Sequence, residues 1–270
     1  MKKEKSSGWR GITVKGQSVI QYVLPGSLNA RMTVNLFLRG SLMKNTEGCP
    51  EKIYKALSGN SVDCPKLVAP HQKHGTDLIE AELSRALPER PEADAVLLIK
   101  KDIFASLRFA DCTPVVGVSE DPFDWCLLVH SGFLGTCRRA VMEAVRKTMD
   151  KTGLRELSHS HFWIGPGIGP CCYSRNSDDH LAAIGVNTLP SECWEKDGDK
   201  IFFDLPRANI ILLYDIGVPE ENIHNIDICT SCFADLCHSY RGGDKAERSF
   251  LLAGIYSRCH KRIHWWENMF

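Results

Sequence analysis

The stretch ADCTPVVGVSEDPFDWCLLVHSG, residues 110–132, decides how this chain folds. Two apolar runs, 113–118 and 125–130, are separated by SEDPFD, whose Ser, Asp and Pro residues suit a turn. The pattern predicts a β-hairpin with Cys112 entering one strand and His130 closing the other. If Val118 faces Asp124, Cys112 falls directly opposite His130, and directly paired side chains lie about 5 Å apart on one face. A metal ion bound by one thiolate and one imidazole, at bonds of about 2.3 and 2.1 Å, spans such a gap. The expectation depends on register, because a slip of one residue turns one of the two side chains to the other face.

A third donor is sought in HQKHGTD, which offers His71 and His74. Three residues apart in an extended segment, the two rings point to opposite faces, so one of them can join the site. His74 precedes Gly75, where the backbone can bend toward a partner, and is preferred over His71. Two histidines and a cysteine form a donor set that leaves zinc one open position for water or substrate. The same residues admit other readings. A copper oxidase would use His and Cys with an axial Met, but a multicopper centre needs many paired histidines, and this chain has ten His with one His-x-His. A Cys–His hydrolase would use Cys112 as nucleophile and His130 as base without metal.

Working outward, the strand-like runs are SVIQYVLP, MTVNLFLRG, PKLVAPHQ, DAVLLIK, IFASLRFA, HFWIGPG and KIFFDL, besides the two in the hairpin. CRRAVMEAVRKTMDKTG has helical periodicity and ends in a glycine suited to a C-cap; LPRANIILLYDIGV has Pro near its first turn and Gly after its last apolar residue. Shorter helices are expected in CPEKIYKALSG and around DDHLAAIG. Strands and helices mixed in this order indicate an α/β (α+β) fold, and no repeat or linker marks a boundary, so residues 1–270 are expected to form one domain. His159 and His161 are expected to alternate in a strand and share a face.

Lys+Arg and Asp+Glu both number 33, which leaves no basic footprint for nucleic acid. MKKEKSS is not followed by an apolar segment of signal-peptide type and no run is long enough to span a bilayer, so a cytoplasmic protein is expected. The 12 cysteines follow no disulfide rhythm and are expected to be reduced thiols or, in a few cases, ligands. CTSCFADLCHSYRGGD, residues 229–244, carries Cys229-x-x-Cys232, readable as a closed zinc site, a redox pair or unligated thiols. Arg241, followed by two glycines, suits an anionic group such as phosphate. The glycines of IGPGIGPCC, residues 164–172, lack the spacing of a dinucleotide loop.

Taken in order, QKHGTD, ADAVLL, ADCTPVV, VHSGFLGT, IGPGIGPCCY, FFDLPRANIILL and CTSCF…HSYRGGD resemble the motif series of the YfiH/laccase-domain family, formerly described as multicopper polyphenol oxidases, over residues 30–260. The resemblance implies a single-domain mixed sheet sandwich with flanking helices. It also implies a purine nucleoside phosphorylase with adenosine deaminase side activity and a single zinc, acting on a purine nucleoside and phosphate. It places the family's metal ligands on His74, Cys112 and His130, selecting His74 through its Q-x-H-G setting. It further points to Arg39, Gln72 and Arg241 for substrate or phosphate and to Asp111 and Arg241 for catalysis. The chain departs from the family pattern at Phe133 and Leu134, where Trp and Arg are usual, at Gly242 in place of a second arginine, and at Ser174 in place of a glutamate. These changes motivate an alternative, a zinc-binding protein of impaired catalysis.

Overall fold

The hairpin 110–132 lies at the middle of a six-stranded sheet in the computed structural model, which describes residues 8–14, 16–59 and 65–257. With strands numbered in chain order, this sheet runs β14 (Ile223–Asn225), β10 (His161–Ile164), β8 (Thr113–Ser119), β9 (Trp125–Ser131), β6 (Ala95–Leu98) and β5 (Leu78–Glu80). A second six-stranded sheet runs β1 (Trp9–Val14), β2 (Gln17–Tyr22), β3 (Met32–Gly40), β15 (Ser249–Ile255), β7 (Ile103–Phe109) and β4 (Lys66–Val68). A small sheet of β11 (Ser174–Asn176), β13 (Lys200–Phe203) and β12 (Trp194–Asp197) stands beside them. The helices are α1 (Ser41–Thr46), α2 (Pro50–Ser58), α3 (Phe133–Cys137), α4 (Ala140–Thr152), α5 (His180–Thr188) and α6 (Leu205–Asp215).

The two large sheets face each other because their strands alternate two apolar sets. Val116, Val118, Cys126 and Leu128 meet Ile20, Leu36, Leu107 and Leu251 across the sandwich. The opposite faces of the hairpin strands, Val115, Leu127 and Val129, pack on Val141, Ala144 and Val145 of α4 and Leu213 of α6. On the far side, Phe37, Phe104 and Phe250 are covered by Leu42 of α1 and by Ile53 and Leu57 of α2. The layers are therefore helix, sheet, sheet, helix, the mixed sandwich with flanking helices that the resemblance implied. Each fully buried large aliphatic or aromatic side chain contributes about 1.5–3 kcal/mol to this association.

The helix limits follow local chemistry. The Asp204 side chain accepts from the Arg207 amide at 2.9 Å and caps α6, and Asp179 accepts from the Leu181 amide at 2.9 Å and caps α5. Gly153, at φ 75°, closes α4 in the left-handed region.

Three expectations are corrected. The hairpin register pairs Pro114 with His130 and Val118 with Cys126, so Cys112 is offset by two residues from the position opposite His130. An even offset preserves the face, so the two side chains still converge. His159 lies in a turn before β10 and shares no strand with His161, whose ring instead stacks on His224 with centroids 5.7 Å apart. β4 ends at Val68, short of Pro70, since proline cannot donate to a ladder.

Candidate metal centre and cavity

The site grows from three chain reversals at one end of the second layer. β7 ends at Phe109, and Asp111 takes φ 80°, turning the chain so that Cys112 enters β8. β9 ends at Ser131, directly after His130, and Gly132 leads into α3. The segment before β5 brings in His74, itself at φ 60°. One ligand atom each from His74, Cys112 and His130 lies within 4.8 Å of the others. The His74 and His130 rings meet edge-on, centroids 4.9 Å apart. His71 is not part of this group; its backbone bridges to Glu92. A Cβ at Gly132 would stand 2.8 Å from both Cys112 Sγ and His74 Cδ2, so the absence of a side chain there keeps the donors together.

Asp94 organises the group. β6 pairs with β9 so that Asp94, one residue before Ala95, lies opposite His130. Its Oδ1 accepts from His130 Nδ1 at 2.8 Å and from the His74 amide at 2.9 Å, and its Oδ2 accepts from the Gly75 amide at 2.7 Å and the Lys73 amide at 3.0 Å. Burial pushes the Asp94 carboxyl up, but these partners outweigh it and hold the group at about 2. An ionised carboxylate only accepts, so the proton of neutral His130 sits on Nδ1 and Nε2 carries the lone pair. Burial lowers the His130 pKa despite the Asp94 bond, which keeps the ring neutral. A ligating imidazole oriented by a carboxylate behind it is the usual arrangement at metal sites. Within ADAVLL, Asp94 carries no motif that marks it as a site residue in the sequence. Its signal was an aspartate next to an apolar strand that would pair with β9.

Cys112 is pushed up to about 12 by burial and by the Asp111 and Asp94 charges. Without a cation beside it, it remains a thiol, and His130 Nδ1 is committed to Asp94. The raised thiol pKa opposes a Cys–His hydrolase, which needs the thiolate, whereas the Asp94–His130 bond with Nε2 free would by itself suit a general base. A bound metal reverses the local charge balance and would hold the sulfur as thiolate.

The donors open onto a cavity of about 550 Å³. Gln72, Asp111 and Arg241, singled out from sequence, line it. Gln72 is clamped to β7, its Nε2 donating to the Arg108 carbonyl and its Oε1 accepting from the Arg108 amide. Asp111 is buried, accepting from Thr230 Oγ1 at 2.7 Å and from the Arg241 amide at 2.8 Å, so both of its oxygens tie the 229–241 segment to the cavity floor. The Arg241 guanidinium lies 4.9 Å over the Tyr173 ring. Arg39 does not line the cavity. It pairs with Asp244 at 2.6 Å and donates to the Ala234 and Cys237 carbonyls, which spends its charge on buttressing the 234–244 segment. Leu134 lines the wall, while the Gly242 amide donates to Ser239 Oγ.

Three further cavity arginines were not foreseen. Arg175 lies 4.6 Å over Phe133 and pairs with Asp179 at 2.6 Å. Arg108 and Arg248 also line the cavity: Arg108 donates to the Gly48 carbonyl at 3.1 Å while its Nε is buried without a hydrogen-bond partner, its pKa is lowered by burial and by the charges of Arg90 and Arg248, and Arg248 donates to the Glu247 carbonyl at 2.7 Å. They are scattered in the sequence, and only the fold brings them to one cavity.

A mixed α/β sandwich whose His–Cys–His donor set lines a cavity of arginine and aromatic side chains defines a narrow class. The chain belongs to the family described as multi-copper polyphenol oxidoreductase laccase, whose sequence model matches residues 49–254. It is 31% identical to purine nucleoside phosphorylase YlmD of Geobacillus stearothermophilus over 172 residues, 62% of this chain and 61% of that one, so the match spans about three fifths of that relative. It is 29% identical to a purine nucleoside phosphorylase of Staphylococcus epidermidis over 199 residues, covering 70% and 72% of the two chains. The crystal structure of YlmD from Geobacillus stearothermophilus superposes with a TM-score of 0.77 at 22% identity, covering 93% of this chain and 99% of that one, and shares the fold. No helix among the described residues is long and apolar enough to cross a membrane.

Proposed function

We propose that the chain acts in the cytoplasm, as one domain, as a zinc-dependent purine nucleoside phosphorylase. It would split adenosine or inosine with phosphate into ribose 1-phosphate and the free base, with adenosine deamination as a side activity. The observation that carries this reading is the convergence of His74, Cys112 and His130, with Asp94 behind them, on a cavity that holds unneutralised arginine charge. The donor chemistry fits zinc: two imidazoles and one sulfur leave an open position. It does not fit a multicopper array, since neither of the two donor groups found among the described residues contains more than two histidines. Among the described residues, no methionine lines the cavity to serve as the axial ligand of a blue-copper site. When bound, zinc would supply Lewis-acid polarisation of an oxygen or nitrogen in the cavity.

The protein's own groups define the rest. Arg108, Arg248 and Arg241 supply cations for phosphate, and the orphaned Arg108 Nε is a donor that an anion would satisfy. Tyr173, Leu134 and Ile168 give the cavity an apolar and aromatic wall against which a purine can lie. Asp111 positions Arg241 through its backbone. Phosphorolysis breaks the bond at C1′ of the ribose and deamination the bond at C6 of adenine, so the two activities call for two poses of the nucleoside in this space. The test is incubation of zinc-loaded protein with inosine or adenosine, with and without phosphate, and chromatography of the products. Phosphate-dependent ribose 1-phosphate and free base are expected; neither product from either nucleoside would refute the reading.

A further inference from the structure

Away from the cavity's donor set, a second group of sulfurs comes together from loops far apart in sequence. Cys171 and Cys172 follow the Gly-Pro loop after β10, and Cys229 and Cys232 form a Cys-x-x-Cys turn after β14. Ligand atoms of all four lie within 4.8 Å of one another. We propose that Cys171, Cys172, Cys229 and Cys232 form a closed four-thiolate zinc site that fastens two walls of the cavity to each other.

The spacing carries the assignment. Bonds of about 2.3 Å to a tetrahedral zinc separate the sulfurs by about 3.8 Å. Cys232 Sγ stands 3.4 Å from Cys171 Sγ and 3.4 Å from Cys172 Sγ, shared between two neighbours, whereas a disulfide selects one partner at about 2.05 Å. An iron–sulfur cube needs a wider ring of cysteines than this. The backbone turns toward the sulfurs: the Gly169 amide donates to Cys229 Sγ at 3.3 Å. Amide donors aimed at a ligating sulfur orient it, as outer hydrogen bonds do at metal sites generally. With four protein ligands, no position remains for substrate, so the role is structural. Zinc uptake would release thiol protons to solvent without any change in oxidation state.

The place of the cluster explains what it would do. The loop carrying Cys171 and Cys172 also carries Ile168 and Tyr173, and the segment after Cys229 and Cys232 carries Tyr240 and Arg241, all lining the cavity. Backbone bonds already link the two segments, Gly167 N to Ile228 O at 3.2 Å and Thr230 N to Gly167 O at 3.1 Å. A metal clip at their outer ends closes a loop of chain, which restricts the unfolded ensemble and holds the rim.

The test starts from a chain with His74→Ala, Cys112→Ser and His130→Ala, which removes the other donor set, purified with zinc and measured by plasma mass spectrometry. About one zinc per chain should remain, and adding Cys229→Ser with Cys232→Ser should abolish it. Because these serines can disturb folding, a second measurement uses the otherwise unmodified protein with cobalt in place of zinc: strong sulfur-to-cobalt charge-transfer absorption is expected, and Cys112→Ser should keep most of it. A triple variant that folds but retains no zinc, or disulfides among these four cysteines in anaerobically purified protein, overturns the proposal. Nucleoside turnover does not enter this count, so an inactive protein that retains this zinc would refute the phosphorylase reading alone.

Discussion

The chain builds two sulfur-containing donor groups by opposite means. His130 and Cys112 stand at the ends of hydrogen-bonded strands, with Asp94 behind His130 in the same sheet, and the group faces a cavity. Cys171, Cys172, Cys229 and Cys232 stand on loops, with Cys171 and Cys232 exposed, and four donors are enough to fill a tetrahedral site. The difference teaches that donor number and support go together. Three donors, two at strand ends and one on the segment before β5, with a carboxylate behind them make a centre that can bind something else, and four donors on loops make a fastening. The two are not remote in structure. Asp111, next to Cys112, grips Thr230 and Arg241 of the segment that begins at Cys229.

The strongest way to break this contrast is Cys112→Ser. Losing the only sulfur of a three-donor set should weaken zinc at the cavity by 100-fold or more, on the order of 3 kcal/mol, and reduce phosphorolysis at least as far. Zinc at the four cysteines should be untouched. Metal competition titrations with a chromophoric chelator would show one affinity class disappearing and the other persisting.

Asp94→Asn probes the support and not the ligands. The amide cannot hold His130 in its present tautomer with the same strength, and zinc affinity in the cavity should fall 10- to 100-fold, read by the same titration. A variant that binds zinc as tightly as the parent would show that the carboxylate only stabilises the fold.

Arg241→Ala tests the segment shared by both groups. Its guanidinium faces the cavity while its amide is held by Asp111, so the substitution removes a cation and leaves the backbone anchor. The KM for phosphate should rise about 10-fold with a smaller change in kcat, in keeping with the loss of one charge-assisted hydrogen bond. Steady-state kinetics with phosphate varied would reveal it.

The smallest effect expected is on acid stability of the metal-free protein. His130 has a folded pKa below its unfolded value near 6.5, so the stability it contributes is complete above that value and is lost as pH falls below it. Asp94, held at about 2 against about 3.9 when unfolded, contributes stability that is lost as pH falls from about 4 through 2. Both act in the same direction. Thermal melts should be level near pH 7–8, decline modestly below about 6.5 and drop more steeply below about 4; a Tm that rises on acidification would contradict the assigned protonation states.

Much of this site was legible in the sequence, and the gaps have physical causes. The hairpin was visible from its period and turn, yet its register was set two residues away, because SEDPFD allows more than one closure and the apolar alternation is unchanged by an even shift. Asp94 stood in view but its role is a cross-strand one, fixed only when β6 takes its place beside β9. β15, which pairs with both β3 and β7 at the centre of its sheet, is a continuous apolar run without alternation, and such runs do not distinguish strand from buried helix. Arg39 has the residue type of a substrate cation, but a carboxylate and two carbonyls reach it first. The paired cysteines at 171–172 and 229–232 were each visible, while their meeting requires the Gly-Pro loop to fold back along the chain after β14.

Anomalous diffraction at the zinc edge, from crystals of protein that turns over inosine, tests the convergence of His74, Cys112 and His130 most directly. A peak is expected about 2.0–2.3 Å from Cys112 Sγ and from one ring nitrogen of each histidine. An active, zinc-containing crystal with no peak between those three side chains would contradict it.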